Sequence, residues 1–161
     1  MQKYFLALAL SAAIVPMCHA ADRTPLTIHR ECSGAAAGSD RLFLRFWSPE
    51  VARGNPEPVC VLRKPELANL PFRSARVEPS PQGVGVVAII ELDESARPLI
   101  EQMTRNNKGN LVAFVVDNRV VSLAMVTRAY SDNRILVSTL TRADAERIVL
   151  AVSPGNHDKN R

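Results

Sequence analysis

Few residues in this chain combine the side-chain type and spacing that chemistry requires. Its three cysteines are Cys18, Cys32 and Cys60, and its three histidines are His19, His29 and His157. A metal centre or a dithiol redox site would need these residues clustered, yet Cys-x-x-Cys is absent. His29 stands alone between an N-terminal apolar leader and a polar C-terminal tail. Serine and threonine are plentiful, but a serine nucleophile needs a histidine base, and His157 in the tail is poorly placed for one. The carboxylates Glu91, Asp93 and Glu94 gather where a strand would pass into a helix, a corner at which acid–base pairs often sit. The same three residues also make an ordinary solvated helix N-terminus, which is the reading adopted. Gly83-Val84-Gly85 precedes a strand as a turn signal and lacks the pattern of a phosphate loop. No catalytic, cofactor-binding or metal-ligating set is expected. What remains is a thiol pair and a strip of side chains suited to an interface.

The thiol pair follows from the leader. Lys3 supplies a positive start, Phe5 to Val15 an apolar core, and Cys18-His19-Ala20 a small-residue approach to cleavage, so residues 1–20 are expected to be a secretory signal peptide. That core of about eleven residues is too short to cross a bilayer, which takes ~20. A lipoprotein signal acylated at Cys18 is the rival, disfavoured because Pro16 and Met17 replace the usual small residues. Export to the periplasm leaves Cys32 and Cys60 in an oxidising compartment, where a disulfide is the default. Closing a loop of about thirty residues stabilises by roughly 3 to 4 kcal/mol on the chain-entropy model. Removing Lys3 takes Lys plus Arg from 20 to 19 against 16 acids, a net of +3. The basic residues are scattered and the aromatics few, which argues against a nucleic-acid surface.

The elements that must position these residues lie mostly between Gly83 and Val152. Val84 to Leu92 reads as a buried strand. Ala96, Leu99, Ile100 and Met103 then form one helical stripe. Pro98 belongs in the first turn of that helix, where it deletes no hydrogen bond, so Ser95 is favoured over Asp93 as the cap. Asn107, Lys108 and Gly109 read as the exit, with Gly109 a left-handed cap. Leu111 to Val116 and Val120 to Val126 flank Asp117, Asn118 and Arg119, which predicts a hairpin. Ile135 to Leu140 leads to Thr141, a cap for a helix carrying Ala145, Ile148, Val149 and Val152 on one face. The order strand, helix, three strands, helix predicts an α+β fold, a largely antiparallel sheet with two helices on one face.

Upstream, Leu26 to Glu31 and Arg41 to Ser48 read as strands separated by the flexible stretch Ser33 to Ser39. Pro49 to Pro58 reads as a connecting loop, and Ser153 to Arg161 as a flexible tail. Alternation along the second strand sets Leu42, Leu44 and Phe46 on one side and Phe43, Arg45 and Trp47 on the other. Such a strand can be covered on both faces, the reading preferred here, or can present Phe43, Arg45 and Trp47 as an exposed partner-binding strip.

From about Val59 to Val152 the chain resembles the head part of the first periplasmic domain of SecD, the membrane subunit that assists export through the Sec translocon. The likeness rests on Pro65-Glu66-Leu67, on Thr104, Asn107 and Gly109 at a helix end, on Asp117 in the hairpin, and on Thr141 with Ala145. Asn118, Ala124 and Ser138 stand where that family carries Gly, Pro and Gly. The expected layout is a signal peptide at 1–20, N-terminal strands and loop at 21–58 tied by the disulfide to a SecD-head-like domain at 59–152, and a tail at 153–161. Nothing read here supplies the membrane helices of a SecD subunit, so the motor activity is not inferred. The resemblance and the empty search for chemistry imply a periplasmic binding or adaptor module that contacts a protein or an extended polypeptide. An inhibitor or immunity-type protein is the second reading, and a hydrolase at the acidic corner the third.

Overall fold

A computed structural model describes residues 25–32, 40–46, 57–81, 83, 85–139 and 141–152. The proposed signal peptide, the 33–39 stretch, residues 47–56 with Trp47, and the tail lie outside the described residues. Among the described residues, eight strands and two helices follow one another as β1 (Thr27–Arg30), β2 (Arg41–Phe46), β3 (Glu57–Leu62), β4 (Phe72–Pro79), β5 (Val86–Leu92), α1 (Arg97–Asn106), β6 (Leu111–Val116), β7 (Arg119–Met125), β8 (Arg134–Thr139) and α2 (Arg142–Val152). The α+β class is as expected, and every strand pair is antiparallel except β2 with β7. The strands divide between two sheets, one ordered β1-β6-β7-β2-β3 and one ordered β4-β5-β8.

The larger sheet curls until its outer strands meet. Glu31 of the chain just past β1 bridges Val61 of β3, the Cys32 amide donates to the Cys60 carbonyl at 3.0 Å, and the two cysteines are joined as a disulfide with Cα atoms 5.3 Å apart. The result is a small barrel filled by Leu44, Val61, Ala113, Val115 and Val120. The second, larger core lies on the other side of β6 and β7, where Val112, Phe114, Val116 and Val121 meet Ala88, Ile90 and Leu92 of β5. Both helices close this core, α1 through Ile100 and Met103 and α2 through Ala145, Ile148 and Val152. These are stripe residues that helical spacing selects, but Leu99, placed in the same α1 stripe, is 44% exposed, on the outer side of the helix.

Two strands escaped the sequence reading. β3 lies partly within the stretch read as loop: Pro58 sits inside it, tolerable because β3 is an outer strand. β4 alternates irregularly, with Arg73, Arg76 and Glu78 among its apolar positions, so no clean period of two is visible.

The caps differ in detail. Asp93, not Ser95, opens the helical region: its Oδ1 accepts from the Ser95 amide at 3.0 Å and the Ser95 hydroxyl at 2.7 Å, capping a 3-10 turn at Glu94–Ala96. That turn resolves the objection to Asp93, because α1 proper starts at Arg97 and Pro98 falls in its first turn after all. At the other end Asn107 closes α1 by donating through both its amide and its Nδ2 to the Met103 carbonyl. Gly109 is left-handed, with φ +83°, but its N–H donates at 2.7 Å to the carbonyl of Val126, just past β7, rather than to the helix. At the hairpin, Asp117 and Asn118 have φ 49° and 59°, a two-residue turn of the I′ kind joining Val116 to Arg119. Thr141 Oγ1 accepts the Asp144 amide at 3.1 Å as the expected cap. The Asp144 carboxylate in turn lies 3.3 Å from Arg119, tying α2 to the hairpin.

Gly109→Ala is expected to lower stability by about 1 kcal/mol, read as a lower midpoint in urea or thermal unfolding. An added Cβ would meet nothing within 4 Å, so the loss reports backbone strain alone.

Candidate functional site

The residues that could have done chemistry are each committed to structure. His29 is buried, 6% exposed, with Nδ1 2.9 Å from the Leu62 carbonyl and Nε2 3.0 Å from the Thr27 hydroxyl. A carbonyl only accepts, so Nδ1 carries the proton and the ring acts as a pin between β1 and β3. At the acidic corner Glu91 accepts from Arg76 at 2.8 Å and from Ser74 at 3.0 Å. The Arg76 hydrogen bond, followed by that of Ser74, holds the Glu91 carboxyl below the usual carboxylate range. Asp93 is lowered too, first by the Ser95 amide and then by the Ser95 hydroxyl. A general acid needs the opposite shift. Among the described residues no group of His, Cys, Asp and Glu could hold a metal ion.

The sequence reading did not find the main concavity. A groove of about 470 Å³ opens between the face of β6 and β7 and the edge of β8. Its lining is mostly apolar, including Met103, Phe114, Ala124, Val126 and Val137, with Thr104, Ser122 and Ser138 among its polar members and Arg128 its charged one. Leu136 and Met125, 51% and 54% exposed, are large apolar side chains left in solvent at its borders.

The edge of β8 is open toward this groove. Leu92 donates to the Asn133 carbonyl, which fixes the antiparallel phase: Ile135, Val137 and Thr139 turn their backbone groups toward β5, and Arg134, Leu136 and Ser138 turn theirs away. The Arg134 carbonyl is taken by the Tyr130 hydroxyl, and the Ser138 carbonyl by Ser122 Oγ at 2.7 Å. Leu136 is left with its N–H and C=O facing the gap, without a partner among the described residues. The signal for this edge was in the sequence, as the uncharged run Ile135-Leu136-Val137, but not the fact that β8 would end its sheet.

The strip lies elsewhere. Phe43 is 65% exposed and Arg45 is exposed on the outside of the barrel, so the preferred reading of β2 as covered on both faces does not hold. Phe43 sits opposite Cys60 in register, beside the disulfide. Phe43 and Arg45 do not line the groove, and Trp47 is outside the described residues.

Because the Glu91 pKa is lower folded than unfolded, the unfolded chain binds more protons in the acid range, and stability is lost as pH falls through the carboxylate range. Arg76→Ala should flatten that part of the pH profile of the unfolding midpoint, a difference readable by denaturant titration at a series of pH values.

Comparison with known proteins puts this geometry in a family. No curated protein sequence matches the chain. Among solved structures, SecDF, described as a membrane component that enhances protein export, aligns with TM-score 0.56 at 19% identity, covering 81% of this chain and 62% of that one. SecDF in its Super-membrane-facing form aligns with TM-score 0.57 at 18% identity, covering 80% of this chain and 18% of that one. The chain therefore spans less than two thirds of either, and at these identities the likeness is one of fold. No described helix is long and apolar enough to cross a membrane. The family model of the SecDF P1 head subdomain matches residues 47–156, well over half of the sequence, and the chain belongs to that family.

Proposed function

We propose that this protein is a periplasmic module that binds an extended polypeptide, in the service of protein export and without catalysing a reaction. The observation that carries the reading is the open β8 edge standing over an apolar groove. An extended segment can pair with the Leu136 backbone while its alternate side chains enter the apolar space, the mode known as strand addition. Family membership supports the link to export, since the SecDF that shares this fold enhances that process. The mature chain would begin after a signal peptide at 1–20, with the head-like domain at 59–152 and the N-terminal strands at 21–58 added to it.

The exposure of Phe43 favours a second contact on the barrel, with Phe43, Arg45 and Trp47 as partner-binding residues. Phe and Arg are both enriched at interfaces. This strip would also suit an inhibitor or immunity-type protein, whose partner is a folded enzyme instead of an unfolded chain.

A fluorescent, unstructured apolar peptide distinguishes these readings by anisotropy. Ala124→Phe, which fills the groove from a partly exposed position, is expected to weaken peptide binding tenfold or more, about 1.4 kcal/mol, with little change in melting midpoint. Phe43→Ala should leave peptide affinity unchanged if the groove is the site. A loss confined to Phe43→Ala would move the site to the barrel, and absence of any peptide binding by the folded protein would reject the reading.

A further inference from the structure

Among the described residues, strands β2 and β3 share fewer register pairs with the rest of the larger sheet than β1 or β6 does. Toward β7, among the described residues, the β2–β3 hairpin has the parallel register pairs Arg45↔Arg119 and Phe46↔Val120. Toward β1 it has the bridge Glu31↔Val61, the Cys32 amide on the Cys60 carbonyl and the His29 ring on the Leu62 carbonyl. β6, by contrast, is paired along its length with β7 and over four positions with β1. What the hairpin covers is apolar: Leu44 and Val61 lie over Ala113, Val115 and Val120, a core separate from the one that holds both helices. The disulfide crosses this seam on the outside, and both cysteines are partly exposed.

We propose that the Cys32–Cys60 bond is a redox latch: reduction releases the β2–β3 hairpin locally and uncovers the apolar barrel interior while the helix-bearing half stays folded. The step balances as ordinary thiol–disulfide exchange. One thiolate of a dithiol reductant attacks one sulfur and displaces the other cysteine as a thiolate; the second thiol of the reductant then resolves the mixed disulfide. Two protein thiols and one oxidised reductant result. The physical basis is the division into two cores. A cross-link that closes the seam restrains the open hairpin strongly; the smaller core lies directly beneath the seam, whereas the larger core meets it at Ile28 and its bridge partner Leu67, beyond the end of β3. This device does not depend on what the β8 groove binds.

The test is hydrogen exchange read by mass spectrometry on the full mature chain, oxidised, reduced by a phosphine, and as the Cys32→Ser/Cys60→Ser double variant. Reduction and the double variant are each expected to accelerate exchange in residues 41–46 and 57–62 by about a hundredfold or more, with residues 86–92 and 142–152 changing by less than about threefold. Fluorescence of an apolar dye such as bis-ANS should rise in parallel and fall again on reoxidation. Equal acceleration throughout the molecule, which includes outright unfolding, would make the bond a global staple and overturn the proposal. Unchanged exchange in the hairpin would overturn it as well.

Discussion

Strand β6 has no polar face, and the rest of the molecule is arranged to permit that. In Leu111-Val112-Ala113-Phe114-Val115-Val116, Ala113 and Val115 enter the barrel while Val112, Phe114 and Val116 enter the larger core. A strand buried on both sides must be covered on both sides, because each exposed apolar side chain forgoes ~25 cal/mol per Å² of burial. The helices and β5 cover one face. On the other, no helix among the described residues lies against it, and the sheet covers itself by curling. Curling brings β1 to β3, and there the disulfide and the His29 pin are found.

The hairpin that carries β6 also joins the halves electrostatically. Arg119 opens β7 immediately after the I′ turn, and its guanidinium reaches Asp144, whose side chain is 5% exposed at the start of α2. Asp144 also accepts the Thr141 hydroxyl at 2.7 Å, so one carboxylate serves as cap partner and tether. Taking a carboxylate out of water is costly unless it is paired and hydrogen-bonded. Both conditions are met here, and α2 is thereby held in register with the hairpin.

Legibility in the sequence tracked how local each cause was. The α1 stripe apart from Leu99, the place of Pro98, the Asp117–Asn118 turn and the Thr141 cap are decided within a few residues, and they could be read directly. The choice between Asp93 and Ser95 failed for a local reason too: an intervening 3-10 turn made both constraints compatible. β4 and β3 were lost because an outer strand is free of the demand for alternation and can hold Arg76 or Pro58. The groove was invisible for a different reason. It is a relation between β7 and β8, fixed by where one sheet ends against the face of another, and no window of sequence contains it.

The free edges of the smaller sheet show how such a relation can carry function. β4, at one edge, has a register shift between Phe72 and Ser74, charged Arg73, Arg76 and Glu78, and a terminal Pro79, devices that discourage further strand pairing. β8, at the other edge, has no register shift, and the uncharged Ile135-Leu136-Val137 makes up its middle. Yet the open part of β8 is short, since the Tyr130 hydroxyl and Ser122 close the carbonyls on either side of Leu136. On the proposed reading, a bound chain would gain little from backbone pairing and most from apolar side chains in the groove. Recognition of that kind selects for hydrophobicity and extension instead of for a particular sequence, and a short pairing edge lets the chain go again.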